Sequence, residues 1–123
     1  MKGKPVLAVE TEPELRHQLV TLLRQLGYAP VAVGSVDEAL TALSTTQFDL
    51  SVVAMDLNGT DGLDFLRRLR VEGGDPGHII MLFETADTKR IGEAATLGVD
   101  DFVPKPVKPE DLDAEAMRAS FAA

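Results

Sequence analysis

Residues 51–62 read SVVAMDLNGTDG. An apolar run closes at Ala54, Met55 and Asp56 follow, and NGTDG turns the chain. From Leu50 to Ala54 there is hardly a polar residue, which is what a strand covered on both faces requires. An acidic turn directly after such a strand marks the carboxyl edge of a parallel sheet, where α/β folds gather their chemistry. The stretch also poses a question. Either Ala54, which carries no functional group, or Asp56 holds the position that would react.

Outward from this strand, the apolar spacing alternates between two periods. Upstream, Lys4 to Val9 is a short β-rich run ending in an acid. Thr11-Glu12-Pro13-Glu14 combines an N-cap, an early proline and a glutamate three residues after the cap. Leu15, Leu19, Leu22, Leu23 and Leu26 then recur at helical spacing, with Gly27 where a helix stops. Ala29 to Val33 reads as a second strand. Ser35 to Glu38 is another capping box, followed by an apolar face of Val36, Ala39, Leu40 and Leu43.

Downstream, Leu63, Phe65, Leu66 and Leu69 form a helix face, and EGGDPG at 72–77 is a loop dense in breakers. His78 to Phe83 is a fourth strand, Thr85 to Leu97 a helix, Asp101 to Val103 a fifth strand, and Pro109 to about Phe121 a final helix. Regular strand–helix alternation predicts an α/β fold: one three-layer, doubly wound domain over residues 1–123 with a five-stranded parallel sheet.

Composition narrows the function. The 123 residues, 45% of them hydrophobic, supply one core. No apolar run approaches the roughly 18 residues of a membrane span, and the first residues do not read as a signal peptide. Cysteine is absent, which removes thiolate nucleophiles, thiolate zinc sites and disulfides together. A net charge of −8 repels phosphate backbones and anionic membranes, so direct binding to nucleic acid or membrane is not expected. A cytoplasmic protein is the economical reading.

The carboxyl ends of parallel strands converge, and the residues there are the candidates for chemistry. They are Glu10 and Thr11, then Ala54, Met55 and Asp56, then Phe83 and Glu84, then Lys105 and Pro106. Acids facing a lysine suit an ion-binding or phosphoryl site; equally, they suit a solvated rim. There is no phosphate-binding glycine loop of either common type and no H-E-x-x-H. Neither His17 nor His78 has a neighbouring carboxylate or serine at a telling spacing, and both read as surface residues. Flavodoxins share this element order, but the acidic ETEPEL after the first strand would repel their phosphate.

Three stretches together resemble the receiver domain of two-component response regulators: VLAVETEPELR, FDLSVVAMDLNGTDGLDFLRRLR and LGVDDFVPKPV. The resemblance covers essentially the whole chain and implies the flavodoxin-like strand order 2-1-3-4-5. It also implies roles. In receivers the phosphorylated aspartate stands seven residues before the Asp of "DG" and six after the aromatic opening strand three. Counted back from Asp61 or on from Phe48, that position is Ala54. The metal-binding acid pair becomes Glu10 and Thr11, the switching Ser/Thr becomes Phe83, and the small residue after it becomes Glu84. Lys105 is retained, as is the switch aromatic, Phe102.

A competing register makes Asp56 the acceptor, with the loop shortened by two residues and strand three lengthened by two; strand facing is preserved. The ungapped count removes acceptor, direct metal ligand and hydroxyl donor together, which reads as a degenerate site, a pseudo-receiver, not an enzyme, working through protein contacts. No metal is expected, although Glu10 and Asp56 remain as acids for one; magnesium enters only with the Asp56 register. Lys105 is expected to pair with Glu10 or Asp56, and the Lys105–Pro106 bond to be cis, as the resemblance implies.

The resemblance further implies a protein partner: a histidine kinase, an output domain or another signalling protein. It would be met through helix four, strand five and helix five, with Lys89, Arg90, Asp100, Asp101, Asp111 and Glu115 on that surface. Glu115 facing Asp100 and Asp101 would oppose the dimer that transcription-factor receivers build there.

Overall fold

The computed structural model describes residues 3–57 and 60–112. In chain order its elements are β1 (Pro5–Val9), α1 (Pro13–Gln25), β2 (Ala29–Val33), α2 (Val36–Thr45), β3 (Leu50–Ala54), β4 (Asp56–Leu57), β5 (Thr60–Asp61), α3 (Gly62–Glu72), β6 (His78–Phe83), α4 (Thr88–Thr96) and β7 (Asp101–Pro104). Residues 109–112 are helical; the remainder of the expected final helix lies outside the described residues.

Five strands form one sheet in the order β2-β1-β3-β6-β7, with every pairing parallel. This is the expected 2-1-3-4-5 order, because β4 and β5 form a separate antiparallel hairpin between β3 and α3. Strand alternation sorts the core onto two faces. Val6 and Ala8 of β1, Val52 of β3, and Ile80 and Leu82 of β6 pack with Leu19 and Leu23 of α1 and with Leu112. Leu7, Val9, Val53, Ile79 and Met81 point the other way, into the apolar faces of α2 and α3 and Ala94 of α4. The three layers follow from that alternation.

Local signals explain most boundaries. Ser35 caps α2 by accepting from the Glu38 N–H at 3.1 Å, while Glu38 reaches back to the Gly34 N–H at 3.3 Å. Asp61 caps α3 through the Asp64 N–H at 2.9 Å. Helix α4 starts three residues later than the periodicity implied, because the Asp87 side chain takes the Lys89 and Arg90 N–H groups at 3.1 and 3.2 Å.

Two expectations need correction. The cap of α1 is Glu12 rather than Thr11, and it makes no side-chain cap hydrogen bond. Glu10 instead accepts from the Glu12 N–H at 3.2 Å, which carries the chain one residue further before it turns. His78 is half-buried, not a surface residue. Its Nε2 lies 2.6 Å from Asp101 Oδ2, because the β6–β7 pairing brings the start of β6 beside the start of β7. His17 is exposed. No described helix is long and apolar enough to cross a membrane.

Candidate functional site at the carboxyl edge of the sheet

Strand β1 runs into Glu10, whose backbone N–H donates to the Val33 carbonyl at 3.1 Å and so keeps it beside the sheet. Its side chain is 3% exposed. A carboxylate that far from water needs a counter-charge, and Lys105 supplies it, with Nζ 2.8 Å from Glu10 Oε1. Lys105 is delivered by β7: its N–H donates to the Phe83 carbonyl at 2.8 Å, and the Lys105–Pro106 bond is cis. Arg16, from α1, donates to the Glu10 carbonyl at 3.0 Å and the Thr11 carbonyl at 3.4 Å. A cleft of about 100 Å³ opens beside the pair, walled mainly by Leu15, Leu19, Leu22 and Val107.

Ala54 closes β3 fully buried, paired in register with Leu82. The chain stays in the sheet one residue more, through the Met55 N–H to the Leu82 carbonyl at 2.8 Å, and then leaves it. Asp56 belongs to the hairpin, opposite Asp61. Its side chain is 61% exposed and is held by Arg90 of α4, Nη1 to Oδ1 at 2.9 Å. That hydrogen bond holds the Arg90 guanidinium above the usual arginine value, against the opposing effect of burial. Phe83 and Phe102 are partly buried against the α2–α3–α4 side of the core, and Glu84 is exposed.

The edge therefore separates the candidates into two ionic groups. Glu10 and Lys105 neutralise each other at the end of β1, while Asp56 is neutralised by Arg90 at the hairpin. Among the described residues no group of three or more histidines or acids is placed to hold a metal ion.

The response regulator receiver domain family matches residues 6–117. The chain belongs to this family. It is 36% identical over 107 residues to the DNA-binding response regulator MtrA of Mycolicibacterium smegmatis, covering 87% of this chain and 46% of that protein. It is 38% identical over 109 residues to the two-component response regulator PhoP of Pseudomonas aeruginosa, covering 89% of this chain and 48% of that protein. The chain thus spans about half the length of these curated relatives.

Among solved structures it resembles the Vibrio cholerae chemotaxis protein CheY4, with TM-score 0.86, 23% identity and coverage of 95% of this chain and 98% of that one. It also resembles the receiver domain of the Pseudomonas aeruginosa sensor histidine kinase PA1611, with TM-score 0.83, 25% identity and coverage of 94% and 96%. That receiver was solved with a magnesium ion coordinated in its active-site cleft.

Two features of this receiver escape sequence reasoning. Arg90, expected on the outward partner surface, turns inward to the hairpin, and its partner Asp56 is 34 residues away in sequence. Asp101, expected on the same surface, is engaged by His78. Lys89 and Asp100 are exposed there, while Glu115 lies outside the described residues. Only one hint of Arg90's role is present in the sequence: Asp56 and Asp61 flank a turn short enough to oppose them, and like charges so placed call for a cation.

Proposed function

We propose that this chain is a receiver-like signalling domain that takes no phosphoryl group at position 54 and acts through protein contacts. The observation that carries the reading is the buried Ala54 at the end of β3, beside an already closed Glu10–Lys105 pair. Aspartyl phosphorylation needs a nucleophilic carboxylate, a divalent ion to offset its charge, and donors for the phosphoryl oxygens. Ala54 offers no nucleophile. Magnesium prefers octahedral oxygen ligands with carboxylates among them. Here one acid of the expected pair is Thr11, and the other, Glu10, is bound to Lys105. The residues present do not fit that ion. Phe83 stands where a hydroxyl donor would.

The rival acceptor, Asp56, sits in a hairpin outside the sheet with Arg90 as its partner, whereas Lys105 serves Glu10. We read residues 1–123 as one such domain, acting in the cytoplasm. Its partner would be a histidine kinase, an output domain or another signalling protein, met on the surface of α4, β7 and the helix that begins near Pro109. An acidic domain of net charge −8 is not itself expected to bind nucleic acid. "DNA-binding" describes relatives about twice its length.

Incubation with acetyl phosphate and magnesium, followed by intact mass, tests the reading. No phosphoryl adduct is expected. An adduct that Asp56→Asn abolishes would overturn it and make Asp56 the acceptor.

A further inference from the structure

Helix α4 is weakly anchored by apolar contact. Ala94 is its one fully buried residue, whereas α3 buries five. Ile91, partly buried, adds to that packing, and the other described contacts are polar. Glu93 pairs with Arg67 of α3 at 2.8 Å, and the Thr96 carbonyl accepts from Arg70 at 3.3 Å, both in exposed positions. Arg90 is the better-shielded contact, with a side chain 28% exposed. Its guanidinium reaches three acceptors on the segment after β3. Nη1 donates to Asp56 Oδ1 at 2.9 Å, and Nη2 donates to the Met55 carbonyl at 3.2 Å and lies 3.6 Å from Asp61 Oδ2.

The acceptors explain why an arginine is there. Asp56 and Asp61 are directly opposed across the β4–β5 hairpin, and like charges in that position repel. A planar, forked cation can span both carboxylates and a carbonyl; an ammonium on a flexible stem cannot do so at once. The other end of Arg90 is fixed as well, since its backbone N–H is tied to the Asp87 cap.

We propose that Arg90 is a clamp that fixes the first turn of α4 against the β4–β5 hairpin and sets the resting position of that helix. The clamp joins the edge of the sheet to the helix through an ionic contact internal to the chain. This inference concerns the resting chain and does not depend on whether any residue accepts a phosphoryl group, so the acetyl phosphate assay and the test below fail separately.

The test is amide hydrogen exchange, followed residue by residue by NMR, on the full chain. Arg90→Gln should accelerate exchange at residues 91–97 about three- to tenfold, while leaving the amides of β1 and β3 unchanged, as expected of local opening. Arg90→Lys should accelerate the same amides, because charge without the fork cannot bridge three acceptors. Lys89→Gln, which removes the adjacent exposed charge, should have no effect. Asp56→Asn should give a smaller acceleration, and the double variant Arg90→Gln/Asp56→Asn should match Arg90→Gln alone, since both act through one contact. The proposal is overturned if Arg90→Gln leaves residues 91–97 within about twofold of the parent protein. It is equally overturned if Lys89→Gln accelerates them as much, if the core strands accelerate in step, or if the two single effects add in the double variant.

Discussion

Glu10 and Lys105 are the pair at which burial leaves least freedom. The glutamate side chain is 3% exposed and the lysine 14%, so each is the other's main source of charge compensation. Removing one partner of a buried pair strands the other, at a cost of about 3–5 kcal/mol. Lys105→Met should therefore lower the urea midpoint by an amount equivalent to about 3 kcal/mol, with the slope unchanged. Adding Glu10→Leu should recover most of that loss, because the stranded charge is then gone. A Lys105→Met protein as stable as the parent would show that water reaches Glu10. The sequence, with the family resemblance, left Lys105 a choice between Glu10 and Asp56, and the structure pairs it with Glu10. His78–Asp101 and Arg90–Asp56 were not legible in the sequence. Their partners lie 23 and 34 residues apart, and spacing says nothing about a contact that register and helix placement create.

At the scale of elements, β3 and β6 fall where the apolar runs placed them, because a strand covered by helices must be apolar along its length; β2 also falls at its expected span, but as an edge strand with Ala29, Val31 and Ala32 exposed. The hairpin of β4 and β5 was read only as a turn, since two-residue strands are too short to show a period. Helix α3 follows it at once, and its first residue, Gly62, has a reason to be glycine. A Cβ there would lie 2.7 Å from the Ala54 carbonyl oxygen and 2.9 Å from Met81 Cε. The methionine can move, but the backbone carbonyl of a central strand cannot. Gly62→Ala should push the start of α3 off β3 and cost about 1–3 kcal/mol. Gly92, inside α4, is the contrasting case, because a Cβ there meets nothing within 4 Å. Gly92→Ala should stabilise by about 0.5–1 kcal/mol through helix propensity alone. Thermal melts of the two variants should therefore move in opposite directions. Parallel shifts would show that the close approach at Gly62 is not what fixes that glycine.

Across the whole molecule, the carboxyl edge and the α4–β7 surface are joined in two ways. One is a short backbone hydrogen bond: β6 ends at Phe83, whose carbonyl accepts from the Lys105 N–H just past β7 at 2.8 Å. The other is the Arg90 contact from α4 to the hairpin. The family resemblance implies that in a phosphate-responsive receiver the inward turn of the aromatic follows movement of the hydroxyl residue at the position of Phe83. On the function proposed above, the acceptor position is the buried methyl group of Ala54; Phe83 and Phe102 pack, partly buried, against the same side of the core. Two large side chains on that side of the core, where the family resemblance implies a small hydroxyl residue and one aromatic, are expected to oppose an inward rotation of Phe102. A ligand shifts a conformational equilibrium only through differential affinity for the two states. Beryllofluoride with magnesium mimics a phosphoryl group by binding an acceptor carboxylate, and no carboxylate stands at position 54. Adding it should leave the amide spectrum of residues 88–103 unchanged, including the resonances of Lys89 and Phe102. Saturable shifts spread over those residues would show that the edge still senses an anion. If Asp56→Asn then removed the shifts, Asp56 would be the group that binds it.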